Sequence, residues 1–145
     1  MAKAVVIFGS TTGNTEMLAD SVEKGIKEAG VEVAKKSASD ISAQEMKDYD
    51  LILLGCSTWG DGELQDDFVD FYEKMKDVNL EGKKAAVFGP GDSSYDQFCK
   101  AVDLLENRLK EHGSQIVTES FKIDGDVDSK LADAEAWAKN IASSL

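Results

Sequence analysis

Four apolar runs, Ala4 to Phe8 (AVVIF), Leu51 to Gly55 (LILLG), Ala85 to Gly89 (AAVFG) and the weaker Gln115 to Ile123 (QIVTESFKI), recur along the chain. Each is followed by glycine or small polar residues. Runs that are apolar at successive rather than alternate positions suit strands buried on both faces, as in a parallel sheet covered by helices. The segments between them repeat at three or four residues: Leu18, Val22, Ile26 and Ala29; Leu64, Phe68, Phe71, Tyr72 and Met75; Phe98, Val102, Leu105 and Leu109; Leu131, Ala134, Ala138 and Ile141. That spacing predicts amphipathic helices, and Gly30 and Gly113 stand where helix C-caps belong. A further run, VEVAK (31 to 35), alternates and predicts an edge strand. Ser39 to Asp48 carries no clear pattern. The expectation is an α/β sandwich of five strands and four helices in one domain spanning residues 1–145.

Charge narrows the function. Sixteen Lys plus Arg against 28 Asp plus Glu leave a net charge of -12, which repels nucleic-acid backbones and anionic membranes. The apolar run at Ala4 to Phe8 is too short for a secretory core, and nowhere do 18 apolar residues run together, so a cytoplasmic protein without membrane insertion is expected. Cys56 and Cys99 lack CxxC spacing and read as packed thiols; no metal site is expected. His112, beside Gly113, reads as a surface residue.

In open α/β sheets ligands bind beyond the carboxyl ends of the strands, and three of the loops there are unusual. After the first strand comes GSTTGNTE (9 to 16), with the hydroxyls of Ser10, Thr11, Thr12 and Thr15, the amide of Asn14, and no Lys or Arg. Its glycines permit tight turns at a helix start, where N–H groups and the positive helix end make a nest for an anion. It is not a Walker loop: Gly9 to Gly13 is one residue too short, and Asn14 stands where the lysine belongs. A phosphate held by hydroxyls and dipoles alone is the reading. After the third strand, CSTWGDGE (56 to 63) adds Ser57, Thr58 and an aromatic at Trp59. After the fourth, GPGDSSYDQFC (89 to 99) adds a second aromatic at Tyr95. A phosphate nest between two loop aromatics suggests a phosphorylated planar ring sandwiched by them.

The segments GSTTGNTE, LLGCSTWGD, ELQDDF and FGPGDSSYDQFC resemble those of the flavodoxin family, in its short-chain branch, over the full length. The resemblance implies a five-stranded parallel sheet of order 2-1-3-4-5, the known order of that family, with noncovalent FMN at its switch point. It further implies a phosphate loop at Ser10, Thr11, Thr12, Gly13, Asn14 and Thr15, assisted by Ser57 and Thr58. Trp59 and Tyr95 then flank the ring, Gly60 faces flavin N5, and Asp61 follows it. Gly91, Asp92, Phe98 and Cys99 belong to the third flavin-contacting segment. ELQDDF is expected to be helical. The implied function is low-potential one-electron transport through semiquinone and hydroquinone states by a monomeric carrier, with no catalytic residues of its own and redox proteins as partners. Seven carboxylates from Asp61 to Asp77, joined by Asp92, Asp96, Asp124, Asp126 and Asp128, are expected to face the flavin edge and steer basic partners.

Other holders of such a fold fit less well. A quinone reductase needs longer loops and a subunit interface. A receiver domain needs acidic residues where Gly9, Ser10, Cys56 and Ser57 stand. A phosphatase needs an arginine near Cys56, and the only one is Arg108.

Overall fold

The computed structural model describes residues 3–9, 14–56, 58–59, 63–64, 66–91, 100–124 and 128–143. The chain runs β1 (Lys3–Gly9), α1 (Asn14–Glu28), β2 (Glu32–Ser37), β3 (Leu51–Cys56), β4 (Thr58–Trp59), β5 (Glu63–Leu64), α2 (Asp66–Lys74), β6 (Lys84–Gly91), α3 (Lys100–Glu111), β7 (Gln115–Ile116), β8 (Phe121–Asp124) and α4 (Leu131–Ser143). The main sheet is ordered β2-β1-β3-β6, with β7 and β8 sharing the place beyond β6. Every pair in it is parallel. This is the expected order 2-1-3-4-5, its fifth position filled by two short pieces.

The continuous apolar runs have the predicted cause. Successive side chains of the central strands point to opposite faces, and both faces are covered. Val5, Ile7, Ile52, Leu54, Ala85 and Val87 meet α2 and α3 on one side. Ala4, Val6, Leu51, Leu53, Ala86 and Phe88 meet α1 and α4 on the other. Gly25 lets these last two helices touch, since a Cβ there would stand 2.2 Å from the carbonyl oxygen of Glu135. β2 pairs only with β1 and is half-exposed, as an edge should be. It carries Lys35, which binds the Asp20 carboxylate of α1. That hydrogen bond holds the lysine pKa above its usual value, against the opposing effect of burial.

Three segments depart from the sequence reading. The patternless stretch holds a 3-10 helix, Ala43–Asp48. Ala43 and Met46 are its buried residues, spaced by three, the period of that helix rather than of an α-helix. The ELQDDF segment is not wholly helical: Leu64 pairs with Thr58 and Glu63 with Trp59 in an antiparallel ribbon, and α2 begins only at Asp66. Leu64 lies four residues before Phe68 and so mimicked helical spacing. Finally, the last strand is interrupted. Ile116 pairs with Ala85 and Phe121 with Phe88, so the edge takes five residue steps where β6 takes three. The slack is held by side chains: Trp137 Nε1 donates to the Glu119 carbonyl at 3.2 Å, and Ser120 Oγ donates to Glu106 Oε1 at 2.9 Å. The Trp137 ring also stacks on Phe121 at 5.6 Å.

Candidate functional site

The register brings the loops of interest to one end of the molecule. Gly9, the last residue of β1, lies opposite Cys56, the last of β3, and Gly55 lies opposite Phe88 of β6. The chain therefore leaves β1, β3 and β6 side by side, into residues 10–13, 57–62 and 92–99. α1 starts four residues after β1 ends. Its amino end, the positive end of the helix dipole, thus lies at this edge of the sheet. Asn14 opens the helix, and Thr15 in its first turn is fully buried. Among the described residues Thr15 and Ser114 are the buried polar side chains, and only Thr15 stands at this end.

Of the other expected residues, Thr58 and Trp59 form one strand of the β4–β5 ribbon, so the loop aromatic is mounted on paired main chain. Gly91 closes β6, where it pairs with Asp124 of β8. Ser10, Thr11, Thr12, Gly13, Ser57, Gly60, Asp61, Asp92, Tyr95, Phe98 and Cys99 lie outside the described residues. Cys56 is a fully buried thiol.

The electrostatics need one correction. Helix α2 leads away from this end, so the acidic stretch does not all face one way. Asp77 lies at the opposite end of the sheet, around a cleft lined also by Asn79, Glu81, Glu111 and His112. Two more of its carboxylates are paired on the helix itself, Asp70 with Lys74 at 3.5 Å and Glu73 with Lys76 at 2.7 Å. The Lys76 hydrogen bond holds the Glu73 carboxyl below its usual pKa. His112 is partly exposed in this cleft, and its carbonyl accepts from the Leu80 N–H at 2.8 Å. Arg108 lies with its guanidinium 4.0 Å from the centre of the Tyr72 ring, joining α3 to α2. The single arginine is thus occupied in packing.

The sequence model of the flavodoxin family matches residues 6–137. The chain belongs to the flavodoxin family. It is 45% identical to the flavodoxin of Nitratidesulfovibrio vulgaris (strain Miyazaki F) over the whole of both chains. Its structure matches that of oxidised Flavodoxin 1 from Bacillus cereus with a TM-score of 0.92 and 39% identity, covering 99% of each chain. A Fusobacterium nucleatum flavodoxin variant solved bound to flavin mononucleotide shares the fold, with a TM-score of 0.82 at 14% identity over 97% of this chain and 94% of that one. Flavodoxins are FMN-binding electron-transfer proteins rather than enzymes acting on a substrate. The residues present fit that cofactor: a buried threonine in the first turn of α1, a glycine- and hydroxyl-rich sequence preceding that helix, and a ribbon after β3 that carries Trp59.

Proposed function

We propose that this chain is a low-potential one-electron carrier, a single FMN-binding domain that works in the cytoplasm as a monomer between redox proteins with basic docking surfaces. FMN supplies the redox chemistry when bound. The chain holds it, orients it and sets its electrostatics. Ser10 to Thr15 hold the phosphate through hydroxyls and the amino end of α1, with Ser57 and Thr58 beside them. Trp59 and Tyr95 flank the ring from two different loops. Gly60, Asp61, Gly91, Asp92, Phe98 and Cys99 line its polar edge. Carboxylates near the ring disfavour negative charge on it: one charge at about 10 Å and an effective dielectric of 20 is worth roughly 1.7 kcal/mol before screening.

The observation that supports this reading is the register of β1, β3 and β6, which delivers the hydroxyl-rich loop, the aromatic ribbon and the GPGDSSYDQFC segment to one edge. Calorimetric titration with FMN and with riboflavin tests it. FMN should bind more tightly by several kcal/mol, since charge-assisted hydrogen bonds contribute roughly 1.5 to 3 kcal/mol each. Failure to bind FMN would overturn the assignment, and equal affinities would remove the phosphate role of the first loop. Steady oxidation of NAD(P)H without a partner reductase would instead favour a quinone reductase.

A further inference from the structure

Where β3 and β6 run out at their carboxyl ends each strand holds a glycine, Gly55 at the last rung of the pair and Gly89 one residue beyond it. At that rung Gly55 of β3 pairs with Phe88 of β6, and a Cβ on Gly55 would stand 2.3 Å from Cε2 and Cζ of that ring. One residue further on, a Cβ on Gly89 would stand 2.2 Å from the carbonyl oxygen of Cys56 and 2.8 Å from Cγ2 of Val102. The first notch is filled by an aromatic ring, the second by main chain. Neither glycine has the positive φ found at Gly30, Gly82 and Gly113. Close approach, and not backbone freedom, is what these two positions require.

The approach is held from outside. On its far side β6 is paired to β8, with Gly89 opposite Lys122, and Lys122 Nζ lies 2.7 Å from Asp103 Oδ1 on α3. A side chain at residue 89 cannot be relieved by sliding β6 outward without breaking that pairing. It would spread the carboxyl ends of β3 and β6, from which residues 57–62 and 92–99 depart. Those segments carry Trp59 and Tyr95.

We infer that Gly89, with Gly55, is a positioning residue that sets the separation of the two ring-flanking segments, and so the width of the slot for the flavin. The inference rests on the FMN reading above. The loop after β1 departs from neither strand of this joint, so the ring contacts should be affected most, and of the residues assigned to the phosphate only Ser57 and Thr58 follow a strand that belongs to it.

The experiment compares the parent protein with Gly89→Ala and with Gly25→Ala, which places a Cβ equally close to a carbonyl but between α1 and α4. Flavin affinity, visible circular dichroism of the bound flavin and thermal unfolding of the apoprotein are measured for each. Gly89→Ala should weaken riboflavin roughly tenfold and FMN by at least that factor, and alter the visible flavin bands. Gly25→Ala should lose thermal stability with flavin affinity unchanged. A second arm applies even where Gly89→Ala does not fold: Gly55→Ala should weaken flavin binding, and adding Phe88→Leu, which removes the clashing ring atoms, should restore it although the core is smaller. A folded Gly89→Ala that binds flavin as the parent does would overturn the inference. So would a loss confined to FMN, an equal loss in Gly25→Ala, or no restoration in the double variant. A parent protein that binds no FMN would overturn the underlying reading as well.

Discussion

At the amino end of the sheet the main chain closes on itself, whereas at the carboxyl end it departs into loops rich in hydroxyls. At the closed end the starts of neighbouring strands are hydrogen-bonded to one another. Asp50 N–H donates to the Lys3 carbonyl at 2.8 Å, Lys84 N–H to that of Asp50 at 3.0 Å, and Gln115 N–H to that of Lys83 at 2.9 Å. Gly30, Gly82 and Gly113, with φ of 84°, 86° and 99°, make the reversals that feed β2, β6 and β7. At the other end Gly55 and Gly89 have ordinary φ and owe their identity to close contact. One end spends glycine on reversing the chain, the other on bringing two strands together. The difference teaches that glycine serves two purposes among the described residues of this sheet, chain reversal where strands begin and close packing where β3 and β6 end.

The contrast is broken most strongly at Gly113. A Cβ there would adopt left-handed geometry and stand 3.0 Å from the Glu81 nitrogen. Gly113→Ala should destabilise the fold by about 2 to 3 kcal/mol, of which roughly 1 to 2 comes from the backbone conformation. Urea unfolding measures the loss, and flavin affinity of the folded fraction should stay at the parent value. A parallel loss of affinity would show that the two ends are coupled.

The two buried polar side chains sharpen it further, one at each end. Thr15→Val keeps the shape but removes the hydroxyl beside the phosphate loop. FMN affinity should fall by about tenfold, or about 1.4 kcal/mol, while riboflavin affinity is unchanged; titration with both flavins checks it. The smallest effect has the opposite sign. Ser114 Oγ is buried with no hydrogen-bond partner, and an orphaned hydroxyl destabilises a fold. Ser114→Ala should therefore raise stability by up to about 1 kcal/mol with no change in flavin binding, as read by thermal unfolding and the same titrations.

What could be read without the structure followed from local causes. The central strands were legible because a strand buried on both faces must be apolar at every position, as at Leu51 to Leu54. Helices α1 and α4 were legible from Leu18, Val22 and Ile26 and from Ala134, Ala138 and Ile141, which recur on one face and are buried there. Gly30 and Gly113 were legible as caps because few other residues tolerate positive φ. The chemistry of the candidate site lay in the order of Ser10 to Thr15 along the chain.

Other features depended on neighbours distant in sequence. Leu64 went to a ribbon and not a helix because Thr58 was there to pair with it. The edge strand divided because Trp137 and Glu106 could hold its slack. Asp77 lies away from the carboxyl end because α2 and the 3-10 turn after it, Met75–Asp77, carry the chain to the other end, and no local pattern records where a helix delivers the residues that follow it. The role of Gly89 was the least visible of all. Its sequence neighbours marked only the end of a strand, while its contacts with Cys56 and Val102 exist only once β3, β6 and α3 have met. Periodicity and turn chemistry are properties of adjacent residues and so determine the elements; spacing between strands is set by whichever atoms meet across them, which only the assembled fold decides.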